Sequence, residues 1–186
     1  MTAAGTGTIH GVPIQSVTDL KSWIGEDLAR YDRGPVATLL REPQVRWQVK
    51  LRVAELLVNR RVAWLAPLAR WRLQAGAVRL GYTIPLNVCG PGLKLPHWGT
   101  IVIGANASVG RHATIHPGTL IGERGGSPRV GDRVYVGAGA KVYGPVTVGD
   151  DAYLAPNCVV TRTVPAGAVM VGVPARPREQ DQLRLP

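Results

Sequence analysis

A six-residue beat runs through the second half of this 186-residue chain and leaves few folds open to it. Counting from Ile103, every sixth residue is aliphatic: Val109, Ile115 and Ile121. After a jump of three extra residues the beat resumes at Val130 and continues through Val136, Val142, Val148, Leu154 and Val160. If about 30% of positions held Val, Ile or Leu at random, ten in register would arise with a probability on the order of 10⁻⁵, so the pattern is a repeat. The residue four places further on is small or β-branched: Ala107, Ala113, Thr119, Val134, Ala140, Val146, Ala152, Cys158 and Val164. Gly follows six of the aliphatic positions, at 104, 110, 122, 131, 137 and 149.

A period of six is neither the 3.6 of a helix nor plain alternation. It suits very short parallel strands joined by two-residue corners, with two side chains per repeat pointing inward. Gly fits the corners because it tolerates positive φ and close backbone approach. Three hexapeptides close a triangle of about 18 residues, with coils stacked about 4.8 Å apart. Carried backward, the frame passes through Leu95 with two inserted residues, which sets Leu95 one coil from Ile115. That register predicts a column of His97, Pro117, Ala138 and Pro156 along one edge of the prism, with His116, Gly137 and Ala155 beside it.

Residues 12–80 follow a helical grammar. Thr18 or Asp19 can cap a helix from Leu20 to about Arg30, with Leu20, Trp23, Ile24, Leu28 and Tyr31 on one face. A Gly34-Pro35 turn follows, then helices from about Val45 to Arg61 and from Val62 to Val78, with Pro67 near the start of the last.

Composition narrows the class. The net charge is +10, from 22 Lys and Arg against 12 Asp and Glu, which suits an anionic ligand, phosphate or membrane surface. No motif beyond charge points to nucleic acid. Met1 to Gly11 lacks the basic and apolar regions of a signal peptide, and the longest apolar run, Val62 to Ala69, is far short of the roughly 20 residues of a spanning helix. The expected compartment is the cytoplasm. Two cysteines make no disulfide framework; Cys89 falls on the aliphatic frame and Cys158 on the small inward position, so both are read as core. No metal is expected, because His112 sits on a different face from His97 and His116; His112 and His10 are read as bystanders.

Three stretches resemble the serine acetyltransferase branch of the hexapeptide acyltransferases. They are Gly90-Pro-Gly-Leu-Lys-Leu-Pro-His97-Trp-Gly-Thr-Ile-Val-Ile-Gly104, Val136-Gly-Ala-Gly-Ala-Lys141-Val, and the closing run from Val160 to Arg176 with its Gly172-Val-Pro-Ala-Arg176. The preceding Glu26-Asp-Leu-Ala-Arg-Tyr31 resembles the short helical lead of such proteins. The resemblance implies a mainly β fold: a left-handed parallel β-helix over residues 81–176, a helical region over 1–80 and a tail over 177–186. It implies a homotrimer that moves an acetyl group from acetyl-CoA to the hydroxyl of serine or a similar small acceptor. His97 matches the general base. Gly122, Gly137 and Ala138 match positions that contact CoA, and Arg162 and Arg176 suit its phosphates. Amides near Gly99 or Gly118 are candidate oxyanion donors.

On the acceptor side the chain departs from the family. Pro96 stands where an Asp usually precedes the base, and Tyr82 stands 15 residues before His97 in place of an Asp partner. Gly126-Ser127 replaces an Arg-His pair. The acceptor set is therefore read as His116, Pro96, Tyr82 and Ser127, with a sugar or specialised metabolite as the alternative acceptor, and a non-catalytic scaffold as the rival from another class. Trp23, Trp47, Trp64 and Trp71 lie among Arg46, Lys50, Arg52, Arg60, Arg61, Arg70 and Arg72. They are read as packing on the β-helix or on neighbouring subunits with the arginines in water; peripheral membrane contact is the alternative.

Overall fold

The computed structural model describes residues 13–178; His10 and residues 179–186 of the expected tail lie outside them. The described chain opens with helices α1 (Val17–Leu28), α2 (Pro35–Arg41), α3 (Pro43–Asn59) and α4 (Ala66–Leu80). The cap of α1 is Ser16 rather than Thr18 or Asp19: its hydroxyl accepts from the Asp19 amide, and the Asp19 carboxylate accepts from the Ser16 amide. Gly34-Pro35 is not only a turn but the N-cap and first residue of α2, a helix the sequence reading missed.

The repeat folds as a left-handed parallel β-helix of about five coils. One sheet stacks β1 (Tyr82–Thr83), β2 (Ile101–Ile103), β5 (Thr119–Gly122), β8 (Lys141–Tyr143) and β11 (Val159–Val160). A second stacks β3 (Ser108–Val109), β6 (Arg129–Val130) and β9 (Thr147–Val148). The third holds β4 (Thr114–Ile115), β7 (Tyr135–Val136), β10 (Tyr153–Leu154) and β12 (Val169–Val171), closed by antiparallel β13 (Arg176–Pro177). The chain visits the three sheets in rotation, so each coil is a triangle.

Both inward positions of the hexapeptide are buried along the whole prism. Every frame residue from Ile103 to Val160 is at most 1% exposed, and the small set from Ala107 to Val164 at most 5%. Ile115 lies level with Val136, and Val136 with Leu154, as the register predicts.

The glycines divide differently from expectation. None of Gly104, Gly110, Gly122, Gly131, Gly137 and Gly149 has positive φ. Close backbone approach requires Gly110, Gly131, Gly137 and Gly149: a Cβ on Gly137 would lie 2.7 Å from the Leu154 carbonyl oxygen, whereas Gly104 and Gly122 face the side chains of Glu123 and Tyr143. Positive φ belongs to other corner positions, such as Gly118 and Gly139 on one edge and His112 and Arg133 on another.

The helices cover the exposed backbone edge of the first coil. Arg52 is fully buried and donates to the carbonyls of Cys89 (2.9 Å) and Gly90 (2.7 Å), held by Asp27 (2.9 Å) and Glu55 (3.1 Å). Asp27 accepts from the Leu93 amide, Glu55 from the Asn87 amide, and Gln48 donates to the Leu93 carbonyl. The expectation that the helical arginines lie in water fails at Arg52, because its partners are unpaired main-chain groups of a sheet edge.

Candidate functional site

The coil register fixes where His97 stands. Lys94 bridges Thr114 and Ile101 pairs with Thr119, so residues 96–100 span a corner that the next coil turns with 116–118. Thr100 accepts from the Gly118 amide (2.6 Å), and a Cβ on Gly99 would lie 3.0 Å from that of Pro117. The two extra residues are therefore His97 and Trp98, which bulge outward and are both exposed. His97 does not sit over Pro117 as predicted; Gly99 does. Below it the column holds: Pro117 accepts from the Gly139 amide and Ala138 from the Asn157 amide, both at 2.9 Å.

The bulge is tied down from behind. Buried Tyr82 donates its hydroxyl to the His97 carbonyl (2.9 Å) while its ring meets Trp47 edge-on at 5.0 Å. Burial pushes the Tyr82 pKa well above the usual phenol range, so this hydroxyl keeps its proton. Tyr82 thus holds the main chain of His97 instead of facing an acceptor.

His116 comes next to His97, ring centroids 6.3 Å apart. It is half-buried, and its carbonyl accepts from the Thr119 hydroxyl (2.7 Å). Burial, then the neighbouring His97 and Lys94, hold its pKa below the usual histidine value, which favours the neutral imidazole. The Tyr135 ring lies 5.0 Å beyond, and Tyr153 stacks on Tyr135 at 4.6 Å. These tyrosines were missed by sequence reasoning. The available signal was their position, since each immediately precedes a frame residue of the same sheet.

The other predicted residues sort by edge. Pro96, His116, Gly137 and Ala138 share the corner between the third and first sheets with His97, and exposed Arg176 lies at the end of the third sheet. Pro96 also borders a cavity of about 230 Å³ lined by Tyr31, Arg33, Thr38, Glu42 and Lys94. Gly122, Ser127 and Arg162 lie at the corner between the first and second sheets, so within one chain the structure does not bring them to the histidines. Glu123, on that second edge, is committed to the amide (2.7 Å) and side chain (2.9 Å) of Asn106.

The expected oxyanion donors are also engaged: the Gly118 amide donates to Thr100 and the Gly99 amide to Leu80. Among the described residues the amides of His97, Trp98 and Ala138 have no such partner. Cys89 and Cys158 are unpaired and buried, with burial pushing the Cys89 thiol up to about 12 and raising Cys158, so neither is an activated nucleophile. Half-buried His112 faces helix α1 through Glu26 (3.5 Å). No group of three His, Cys, Asp or Glu suited to a metal ion occurs among the described residues.

Residues 127–162 match the family described as bacterial transferase hexapeptide (six repeats). The chain is 39% identical over 137 residues to a serine acetyltransferase of Mycobacterium tuberculosis, covering 64% of this chain and 60% of that one. It is 34% identical over 169 residues to a serine acetyltransferase of Helicobacter pylori, covering 88% of this chain and 96% of that one. A solved serine acetyltransferase in complex with CoA superposes with a TM-score of 0.73 at 27% identity, over 87% of this chain and 71% of that one. Coils, corner histidine and near-complete coverage of the Helicobacter relative agree: the chain belongs to the serine acetyltransferase family of hexapeptide-repeat acyltransferases.

Proposed function

We propose that this chain transfers the acetyl group of acetyl-CoA to the hydroxyl of serine or a similar small acceptor, with His97 as general base. The observation that carries this is the exposed His97 bulge heading an edge whose lower corners, Pro117, Ala138 and Pro156, are small enough for a pantetheine arm to lie along. The relatives are named serine acetyltransferases, and one structural neighbour was solved with CoA.

The step balances as follows. The imidazole of His97 takes the acceptor's hydroxyl proton as its oxygen attacks the thioester carbonyl. The C–S bond breaks when the tetrahedral adduct collapses, and the leaving thiolate of CoA recovers the proton from the imidazolium. The amides of His97 and Trp98, without a partner among the described residues, are the donors we assign to the developing oxyanion. This reading includes a homotrimer. Gly122 and Arg162 occupy a different edge from His97, and a second copy offering that edge completes one groove. The free, buried cysteines agree with the reducing cytoplasm, where we place the reaction.

One observation favours a second acceptor. The stacked Tyr135 and Tyr153 continue the line from His97 and His116, and such a row of ring edges and phenol hydroxyls suits the hydroxyl groups of a sugar. A thiol-release assay with acetyl-CoA and a panel of serine, homoserine and sugar acceptors separates the two. On the best acceptor, His97→Ala is expected to lower kcat by about 10²–10⁴-fold; full activity would overturn the mechanism.

A further inference from the structure

Two of the four helical tryptophans are packed: Trp47 is 2% exposed and Trp23 lies under Arg52, ring centroid 4.9 Å from its guanidinium carbon. The other two are not. Trp64, Leu68, Trp71 and Val78 are 78, 50, 67 and 72% exposed. They recur at intervals of four, three and seven residues, which on α4 and the turn before it makes one straight stripe facing solvent. Beside the stripe, between α3 and α4, opens an apolar hollow of about 230 Å³ floored by Val53, Leu57, Leu65 and Leu68 and rimmed by Lys50 and Arg72.

Charge is one-sided here. Between Glu55 and Glu123 the sequence holds no Asp or Glu and seven Lys or Arg. Arg60, Arg61, Arg70, Arg72 and Arg79 are exposed, and none forms an ion pair among the described residues. A second copy of so basic a face would be repelled. No helix of the described residues is long and apolar enough to cross a membrane.

We propose that this face docks on an anionic lipid surface. Trp64, Leu68, Trp71 and Val78 enter the headgroup boundary, and the flanking arginines meet lipid phosphates, in the manner of an interfacial helix. The attachment is peripheral. At its C-terminal end α4 runs through Gly81 into β1, whose Tyr82 holds the His97 carbonyl.

Cosedimentation of the full chain tests this, with vesicles of phosphatidylcholine containing about 30% phosphatidylglycerol against phosphatidylcholine alone. Binding is expected to the anionic vesicles, about tenfold weaker or less to the neutral ones, and lost near 1 M salt, where the screening length is about 3 Å. Trp64→Ser with Trp71→Ser should weaken binding about tenfold or more, and Arg60→Gln with Arg61→Gln about fivefold per charge. Circular dichroism and acetyl transfer should stay as in the parent, which reports intact folding and leaves this test independent of the catalytic reading. Equal binding to both vesicle types, or unchanged binding by the tryptophan variant, overturns the proposal. So does a larger assembly, or capture of an acidic polypeptide, that the tryptophan substitutions abolish while vesicles are ignored.

Discussion

Tyr82 contributes to the site through one atom. Its hydroxyl fixes the His97 carbonyl, and its ring is already secured by Trp47. Tyr82→Phe should therefore keep the packing, cost about 1 kcal/mol of stability, and lower kcat about tenfold with KM nearly unchanged. Steady-state kinetics beside urea unfolding checks this, since a merely structural role would shift stability alone. His116 gives a pH signature. Its pKa lies below the unfolded value of 6.5, so the unfolded chain binds the proton more readily. The stability this protects is complete above that value and declines as the pH falls through it. Urea midpoints should accordingly rise with pH across that range, and His116→Gln should flatten part of the slope; an unaltered slope would refute the assignment. The inward columns were legible because a solenoid core is one-dimensional and each step of six returns to the same environment. The place of His97 was not. Counting shows that two residues are inserted between Leu95 and Ile101, but which pair bulges is decided by the bond from Gly118 to Thr100.

Helix α3 presents Gln44, Gln48, Arg52 and Glu55 along one face, and all four are buried. A polar stripe at helical spacing ordinarily faces water. Here it faces the first coil's open backbone edge, which needs donors and acceptors more than methyl groups. The stripe was visible in the sequence, but its destination was not, because nothing local distinguishes a sheet edge from solvent as a partner. Arg52→Met should cost about 3–5 kcal/mol, since it leaves Asp27 and Glu55 buried and unpaired; chemical denaturation measures it. Helix α2 was hidden for a related reason: Gly34-Pro35 suits a turn and a helix start equally well, and seven residues carry too little periodicity to choose.

At the scale of the molecule, the CoA-matching residues divide between two edges of one prism. If copies share their grooves, chains carrying His97→Ala and chains carrying Arg162→Glu, each nearly inactive, should recover about a quarter of parental activity when refolded together at equal amounts. Absence of recovery would place the whole site within one chain. The two ends of the prism are finished differently. The helices close the first, and at the other the chain folds back so that Ala175 donates to the Val159 carbonyl and Arg178 to that of Val169, both at 2.8 Å. A rod built of near-identical rungs invites endless growth, each terminus offering a template for the next molecule. With both termini plugged, the number of rungs is a property of the gene rather than of concentration. Clipping the final fold-back should turn discrete particles into fibres.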